Sequence, residues 1–187
     1  MRRLCLLFLL IGTYCYAGER KYTVDSPDGK IQLAIIQTDA GELTYQLSVK
    51  RKQVIDASAL GFKTEDGLTF PFRGWKMGKV TRNKVNSVWK PLWGKRAVVP
   101  DKYNEMKLSF VNEAKSSDAL EVVARAYNEG VAFRYVSPQD AGSALELTTF
   151  NFAGDYTAWF YNGERHNIGP ERLTETDGER LPVMTVK

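Results

Sequence analysis

The sequence predicts an all-β fold, an antiparallel sandwich of many short strands. Three observations carry this. Apolar residues recur at period two along most of the chain, polar turn clusters separate these runs, and no window holds an apolar stripe at i, i+3, i+4, i+7. The 187 residues suit one domain and are few for two. With 43% hydrophobic and 26% charged residues, the composition excludes a disordered chain and a coiled coil.

The first segment is not part of the sandwich. Arg2 and Arg3 precede an apolar run from Leu4 to Ile11, and Ala17 supplies a small residue for cleavage. This is the three-part pattern of a secretory signal peptide over residues 1–17, with the domain spanning 18–187. The run is too short for a membrane span of about 20 residues. Cys15 raises the possibility of lipidation, but its neighbours Tyr14 and Tyr16 disfavour it. Cys5 and Cys15 leave with the peptide, so the exported chain is expected to have no thiol chemistry and no disulfide. Arg2 and Arg3 leave too. The formal charge of +4 thereby falls to +2, with no basic block to engage nucleic acid.

The strands follow in order. Ile31, Leu33 and Ile35 share one face, and Asp39–Glu42 has the composition of a hairpin turn. Leu43, Tyr45, Leu47 and Val49 then alternate with polar residues as a half-buried strand. Asp56–Gly61 is read as one helical turn. Met106, Leu108 and Phe110 form another apolar face. Leu120, Val122, Ala124 and Ala126 form the next, with Val123 opposite them. Asn128-Glu129-Gly130 turns the chain into Val131–Tyr135, and Gly130 is expected to take a positive φ. Leu145 and Leu147 fall out of phase with Phe150 and Phe152, which predicts a bulge or a bend. Thr157–Tyr161 and Val183–Val186 are the last candidates. The final run fits either a short edge strand or the opening of a strand in a longer protein.

Motifs for known chemistry are absent. There is no phosphate-binding Gly-rich loop, no Gly-x-Ser-x-Gly and no His-Glu-x-x-His. His166 is the only histidine, in a polar run that reads as a solvated loop. Asp101 and Glu105 lie close together, as do Glu171, Glu175, Asp177 and Glu179, but nothing selects a catalytic pair from them. Trp89 and Trp93 are more suggestive. In an extended chain they point to one side, and Pro91 keeps the segment off a central ladder. Indole faces suit the C–H faces of sugar rings, and equally suit a core or a domain interface.

Several segments resemble the N-terminal domain of glycoside hydrolase family 97. They are Ser26-Pro27-Asp28-Gly29-Lys30, Val54–Phe62, Trp89–Gly94, Tyr103-Asn104-Glu105 and, most specifically, Arg125–Tyr135. The resemblance implies a galactose-mutarotase-like β-supersandwich, incomplete at its C-terminus, ahead of a catalytic (β/α)8 barrel and a small β domain. It implies an exported α-glucosidase or α-galactosidase, periplasmic or secreted in a Gram-negative bacterium. The catalytic carboxylates and most ligands of a calcium ion would lie on the barrel, and one calcium-ligating Glu just beyond Lys187. No catalytic or metal residue is therefore assigned here, and no cofactor is expected to bind this chain alone. The expected partners are an α-glucoside or α-galactoside and the barrel of the same polypeptide, with no nucleic acid and no membrane after signal cleavage. Trp89, Trp93, Tyr103, Asn104 and Glu105 are the candidate substrate-binding or barrel-facing residues. His166, with Gly169-Pro170-Glu171, is a second candidate group in a loop, and Glu171 its carboxylate. In the alternative for these residues, the tryptophans are all core and Arg134 is a strand-surface cation. The alternative functions are a free-standing carbohydrate-binding module and a structural or adhesion sandwich.

Overall fold

A computed structural model describes residues 19–65, 67, 69–71, 75–113, 119–137, 142–161, 167–176 and 181–187. Two four-stranded antiparallel sheets face each other. The first runs β1 (Arg20–Asp25), β2 (Ile31–Gln37), β3 (Leu43–Val49) and β4 (Lys52–Leu60), in that order. After the short strands β5 (Phe62–Thr64) and β6 (Thr69–Phe70) comes the second sheet. It contains β7 (Trp75–Trp89), β8 (Val99–Asn112), β9 (Ala119–Tyr127) and β10 (Val131–Val136), ordered β10-β9-β8-β7. A three-stranded sheet joins β11 (Ala144–Glu146) to β5 and β6. Another places β12 (Thr157–Tyr161) between β13 (Asn167–Arg172) and β14 (Leu181–Val186). Among the described residues the one helical element is a 3-10 turn at Leu173–Glu175.

The period-two pattern explains the packing. In β2 the residues Leu33 and Ile35 face inward, and their partners Val24, Tyr45 and Leu47 share that side. Across the gap stand Met106, Leu108 and Phe110 of β8, with Leu120, Val122 and Ala124 of β9. Phe70 closes the core, edge-on to both Trp75 and Phe110. Each large side chain buried this way contributes roughly 1.5–3 kcal/mol, which is what holds the two sheets together.

Four local expectations are corrected. Asp56–Gly61 is not a helical turn: Asp56–Leu60 continues strand β4. Its backbone is paired with β3 on one side. On the other side Leu147 N–H donates to the Gly61 carbonyl, Thr149 N–H to that of Ala59, and Asp56 N–H to that of Asn151. Such two-sided pairing leaves no backbone group for a helix. Gly130 does not adopt a positive φ, whereas Gly29 and Gly41 do. The turn there closes through Tyr127 N–H donating to the Gly130 carbonyl at 2.8 Å, with Asn128 and Glu129 carrying the reversal. Gly169–Glu171 lies in strand β13 rather than a loop, because it is paired with β12. The chain from Lys90 to Val98 belongs to no strand, so Trp89 and Trp93 do not sit on one extended ribbon.

The phase slip after Leu147 is a bend, as the pattern predicts. Strand β11 stops at Glu146, and the following residues cross β4 by irregular hydrogen bonds, ending in an isolated bridge from Phe152 to Ile55. One tight turn carries no signal in the sequence. Val49 pairs with Lys52, and the two intervening residues, Lys50 and Arg51, both have positive φ at 50° and 67°. This is the geometry a two-residue hairpin needs, adopted here without glycine or asparagine.

Candidate functional site

Strands β7 and β8 are the longest among the described residues, and their register positions the candidate residues. They pair without a break from Lys79–Ser109 to Trp89–Val99. Strand β9 accompanies β8 only as far as Tyr103, which pairs with Tyr127. The four pairs beyond, Asn86–Lys102 to Trp89–Val99, therefore project from the sheet as a two-stranded ribbon. An isolated ribbon of this kind is marginally stable in water, so its tip is usually supported by something else.

The ribbon tip is apolar and uncovered. Trp89 is 54% exposed, Trp93 87% and Leu92 fully exposed, with Val88 and Val98 beside them. Lys90, Lys95, Arg96 and Lys102 flank these residues along the chain, with Asp101 as the acidic neighbour. Trp75, by contrast, is a core residue. The reading in which all tryptophans are core is thus corrected for Trp89 and Trp93. At a non-strand ribbon end, no facing sheet remains for their rings to enter.

At the base of the ribbon, strand parity puts Tyr103 and Glu105 on the face of β8 opposite Met106 and Leu108. Glu105 pairs with Arg125, and Tyr103 with Tyr127. Arg125 Nε donates to Glu105 Oε2 at 2.8 Å, and its guanidinium carbon lies 4.3 Å from the centre of the Tyr103 ring. The Tyr103 and Tyr127 rings are 5.0 Å apart. Glu105 is only 7% exposed, whereas the Arg125 side chain is 34% exposed. The hydrogen bond to Glu105 raises the pKa of Arg125 above its usual value, and burial pushes the Tyr103 phenol up. Arg125 is thus held between the Glu105 carboxylate and the Tyr103 ring.

Asn104 points the other way. Its Nδ2 donates to the Asp25 carbonyl at 2.7 Å, tying β8 to the end of β1. Arg82 Nη2 makes the parallel link to the Thr23 carbonyl at 3.2 Å. Between these strands opens a groove of about 640 Å3. Asp25 and Ser26 line one wall, residues 82–84 the other, and Asn104 and Glu105 also contribute. The adjoining β1–β2 turn is stiff. Ser26 Oγ donates to Asp28 Oδ1 at 2.7 Å, Lys30 N–H to the same oxygen at 3.1 Å, and Ile31 N–H to Ser26 Oγ at 3.0 Å. With Lys30 also at 2.9 Å, these bonds hold the Asp28 carboxyl down at about 2.

The structure thus brings Tyr103, Asn104 and Glu105 together on β8, places Trp89 at the end of β7 and Trp93 in the connection beyond it, and puts Glu171 on a different sheet. His166 lies outside the described residues. The sequence marked Arg125 and Tyr127 only within the family-like segment, and neither they nor Arg82 and Asn83 were named as site residues. Alternation in β8 and β9 could have revealed the first two, since each lies out of phase with its strand's core face. The other two needed the β7–β8 register. Among the described residues no group of three or more His, Cys, Asp or Glu side chains could hold a metal ion.

The family described as glycosyl-hydrolase 97 N-terminal matches residues 24–183. A retaining alpha-galactosidase of Bacteroides thetaiotaomicron is 22% identical over 196 residues, covering 94% of this chain and 28% of that protein. A probable retaining alpha-galactosidase of Streptomyces bingchenggensis is 29% identical over 166 residues, covering 86% and 26%. Among solved structures, a glycoside hydrolase family 97 enzyme from Pseudoalteromonas sp. strain K8, determined in complex with panose, matches with a TM-score of 0.65. Its identity is 34%, over 75% of this chain and 22% of that one. A beta-arabinopyranosidase matches with a TM-score of 0.62 at 26% identity, over 74% and 22%. The chain spans about a quarter of the length of the curated relatives it matches.

Proposed function

Since this chain belongs to the glycoside hydrolase 97 family as its N-terminal β-sandwich domain, we propose that it serves an exported α-glycosidase as a non-catalytic part. In this reading it docks on a catalytic barrel of the same polypeptide and shapes one side of the carbohydrate pocket. The observation that carries the docking is the ribbon tip, where Trp89, Leu92 and Trp93 stand in solvent. A contiguous apolar patch of this kind marks an interaction surface. Its basic surround favours an acidic rim on the barrel.

The chemistry proposed for the whole enzyme is glycoside hydrolysis by two carboxyl groups, both outside this chain. One protonates the leaving oxygen, and the other attacks the anomeric carbon or activates water. The substrate class is an α-galactoside or α-glucoside: the names of the two curated relatives support the first, and the panose bound to the family 97 neighbour supports the second. Calcium belongs to the proposed whole enzyme. Export is supported by the three-part pattern of residues 1–17, and a periplasmic or secreted location follows from it. The domain's part is to exclude water and fix the pocket wall, which acts on substrate positioning rather than on bond breaking.

The test uses the polypeptide that joins this chain to its barrel. Replacing Trp89, Leu92 and Trp93 together by Ser should split one melting transition into two and lower kcat/KM on p-nitrophenyl α-glycosides. The isolated chain should hydrolyse neither the α-glucoside nor the α-galactoside. An unchanged single transition in the triple variant would remove the docking role.

A further inference from the structure

We propose that the β3–β4 turn, Lys50-Arg51-Lys52, is an electrostatic docking surface for an acidic patch on the catalytic barrel of the same polypeptide. The inference rests on the reading of this domain as a part that docks on such a barrel. It adds to the apolar ribbon tip a second contact made by charge.

Backbone strain is the first argument. Lys50 and Arg51 are the two central residues of a hairpin loop, with φ at 50° and 67°. Among the described residues they are the only ones other than glycine with positive φ. Asn-Gly is the pair that fits this geometry. A bulky side chain in the left-handed region costs about 1–2 kcal/mol. Strain of this kind persists where the residue serves a purpose beyond the fold.

Uncompensated charge is the second. Lys50, Arg51 and Lys52 are all exposed, and none forms an ion pair with a described residue. Lys50 N–H donates to the Lys30 carbonyl at 2.6 Å, which sets a fourth cation beside them. The carboxylate of that neighbouring turn, Asp28, is already engaged by Ser26 Oγ, by Lys30 N–H and by the Lys30 ammonium. Three cations without a partner, at one hairpin end, create a positive field that steers in an acidic surface.

Position is the third. Ile31 pairs with Val49, so the β3–β4 turn lies at the same end of the first sheet as the β1–β2 turn. Asn104 ties that end to β8 through the Asp25 carbonyl, beside the base of the ribbon. Strand β3 lies two strands from β1, roughly 10 Å away. A barrel seated on Trp89, Leu92 and Trp93 therefore reaches the turn as well, and the two contacts form one interface. Rigidity is the fourth. Val49 pairs with Lys52, and Ser48 Oγ donates to Gln53 Oε1 at 3.2 Å. The cations are presented on a closed turn, so little backbone ordering opposes binding.

The experiment compares hydrogen exchange in this chain alone with that in the polypeptide joining it to its barrel. At about 20 mM NaCl, peptides covering residues 48–53 should exchange at least about tenfold more slowly in the joined polypeptide. At about 500 mM NaCl this difference should shrink, while ribbon peptides covering 86–102 stay protected. Lys50→Glu with Arg51→Glu should abolish protection of the turn. Lys50→Asn with Arg51→Gly should abolish it too, while raising the melting temperature of this chain alone. A turn that serves only the fold would gain stability and lose no protection. The proposal is overturned if the turn exchanges equally in both polypeptides, if its protection does not respond to salt, or if either double variant keeps it. Protection of the ribbon without the turn removes this inference alone, and protection of neither removes the docking reading with it. Protection of the turn by phosphatidylglycerol vesicles but not by the barrel would assign it to an anionic lipid and overturn the proposal.

Discussion

The side-chain oxygen of Asn128 accepts a hydrogen bond from the backbone N–H of Asp28 at 3.0 Å, joining two turns that are 100 residues apart. Asp28 ends up with its N–H on one sheet's turn chemistry and its carboxylate on the other's. Replacing Asn128 by Ala should therefore cost roughly 0.5–1.5 kcal/mol in urea unfolding, the usual worth of one such bond. An Asp28→Asn variant should show where acid sensitivity originates. The Asp28 carboxyl titrates lower when folded, at about 2, than at its ordinary value of 3.8. Its contribution is thus complete above the ordinary value and disappears as pH falls through about 2. Acid unfolding of the parent should show a stability loss in that window that Asp28→Asn lacks.

Tyr135 gives the opposite pH dependence. Burial raises its phenol to about 12, with Thr148 bonding in the other direction. A raised pKa in the folded state means that stability is whole below about 10 and declines as pH climbs through about 12. Absorbance at about 295 nm, which follows tyrosinate, should show one delayed phenol that coincides with alkaline unfolding. The Tyr135→Phe variant should lose both the late phenol and part of the alkaline sensitivity.

Removing Arg125 should expose the cost of burying Glu105. The pair is buried on the carboxylate side only, so screening at Arg125 reduces what it contributes. Arg125→Leu leaves the carboxylate without its donor and should destabilise by about 1–3 kcal/mol in denaturant titration. The double variant Arg125→Leu with Glu105→Leu should regain much of that loss. Equal destabilisation in both variants would show that stacking on Tyr103, rather than the ion pair, is what matters.

The turn at Lys50 and Arg51 should be improvable. Both residues hold positive φ, and a side chain there costs about 1–2 kcal/mol relative to a residue suited to the left-handed region. Lys50→Asn with Arg51→Gly should raise the melting temperature. Gly61 behaves in the reverse sense. A Cβ there would overlap the Phe70 carbonyl oxygen, so Gly61→Ala should lower the melting temperature although its φ is ordinary.

Alternation along single strands was enough to read the β class, the core of β2, β3, β8 and β9, and the hairpin at Asp39–Glu42. Side-chain parity is a local property, and it survives whatever the strand pairs with. Family membership was legible for a related reason. Ser26–Lys30 and Arg125–Tyr135 carry turn and face patterns dense enough to be specific, and the structure shows the two segments in contact. Tertiary structure alone decided the rest. Asp56–Leu60 is a strand because two neighbours claim its backbone, and β13 is a strand because β12 does. The exposure of Trp89 and Trp93 follows from where β9 stops beside β8, a fact of length mismatch between strands distant in sequence. The groove exists only because β1 and β7 approach each other across about 60 residues of chain. No local pattern encodes that distance, since the groups that meet there are brought together by the packing of the two sheets.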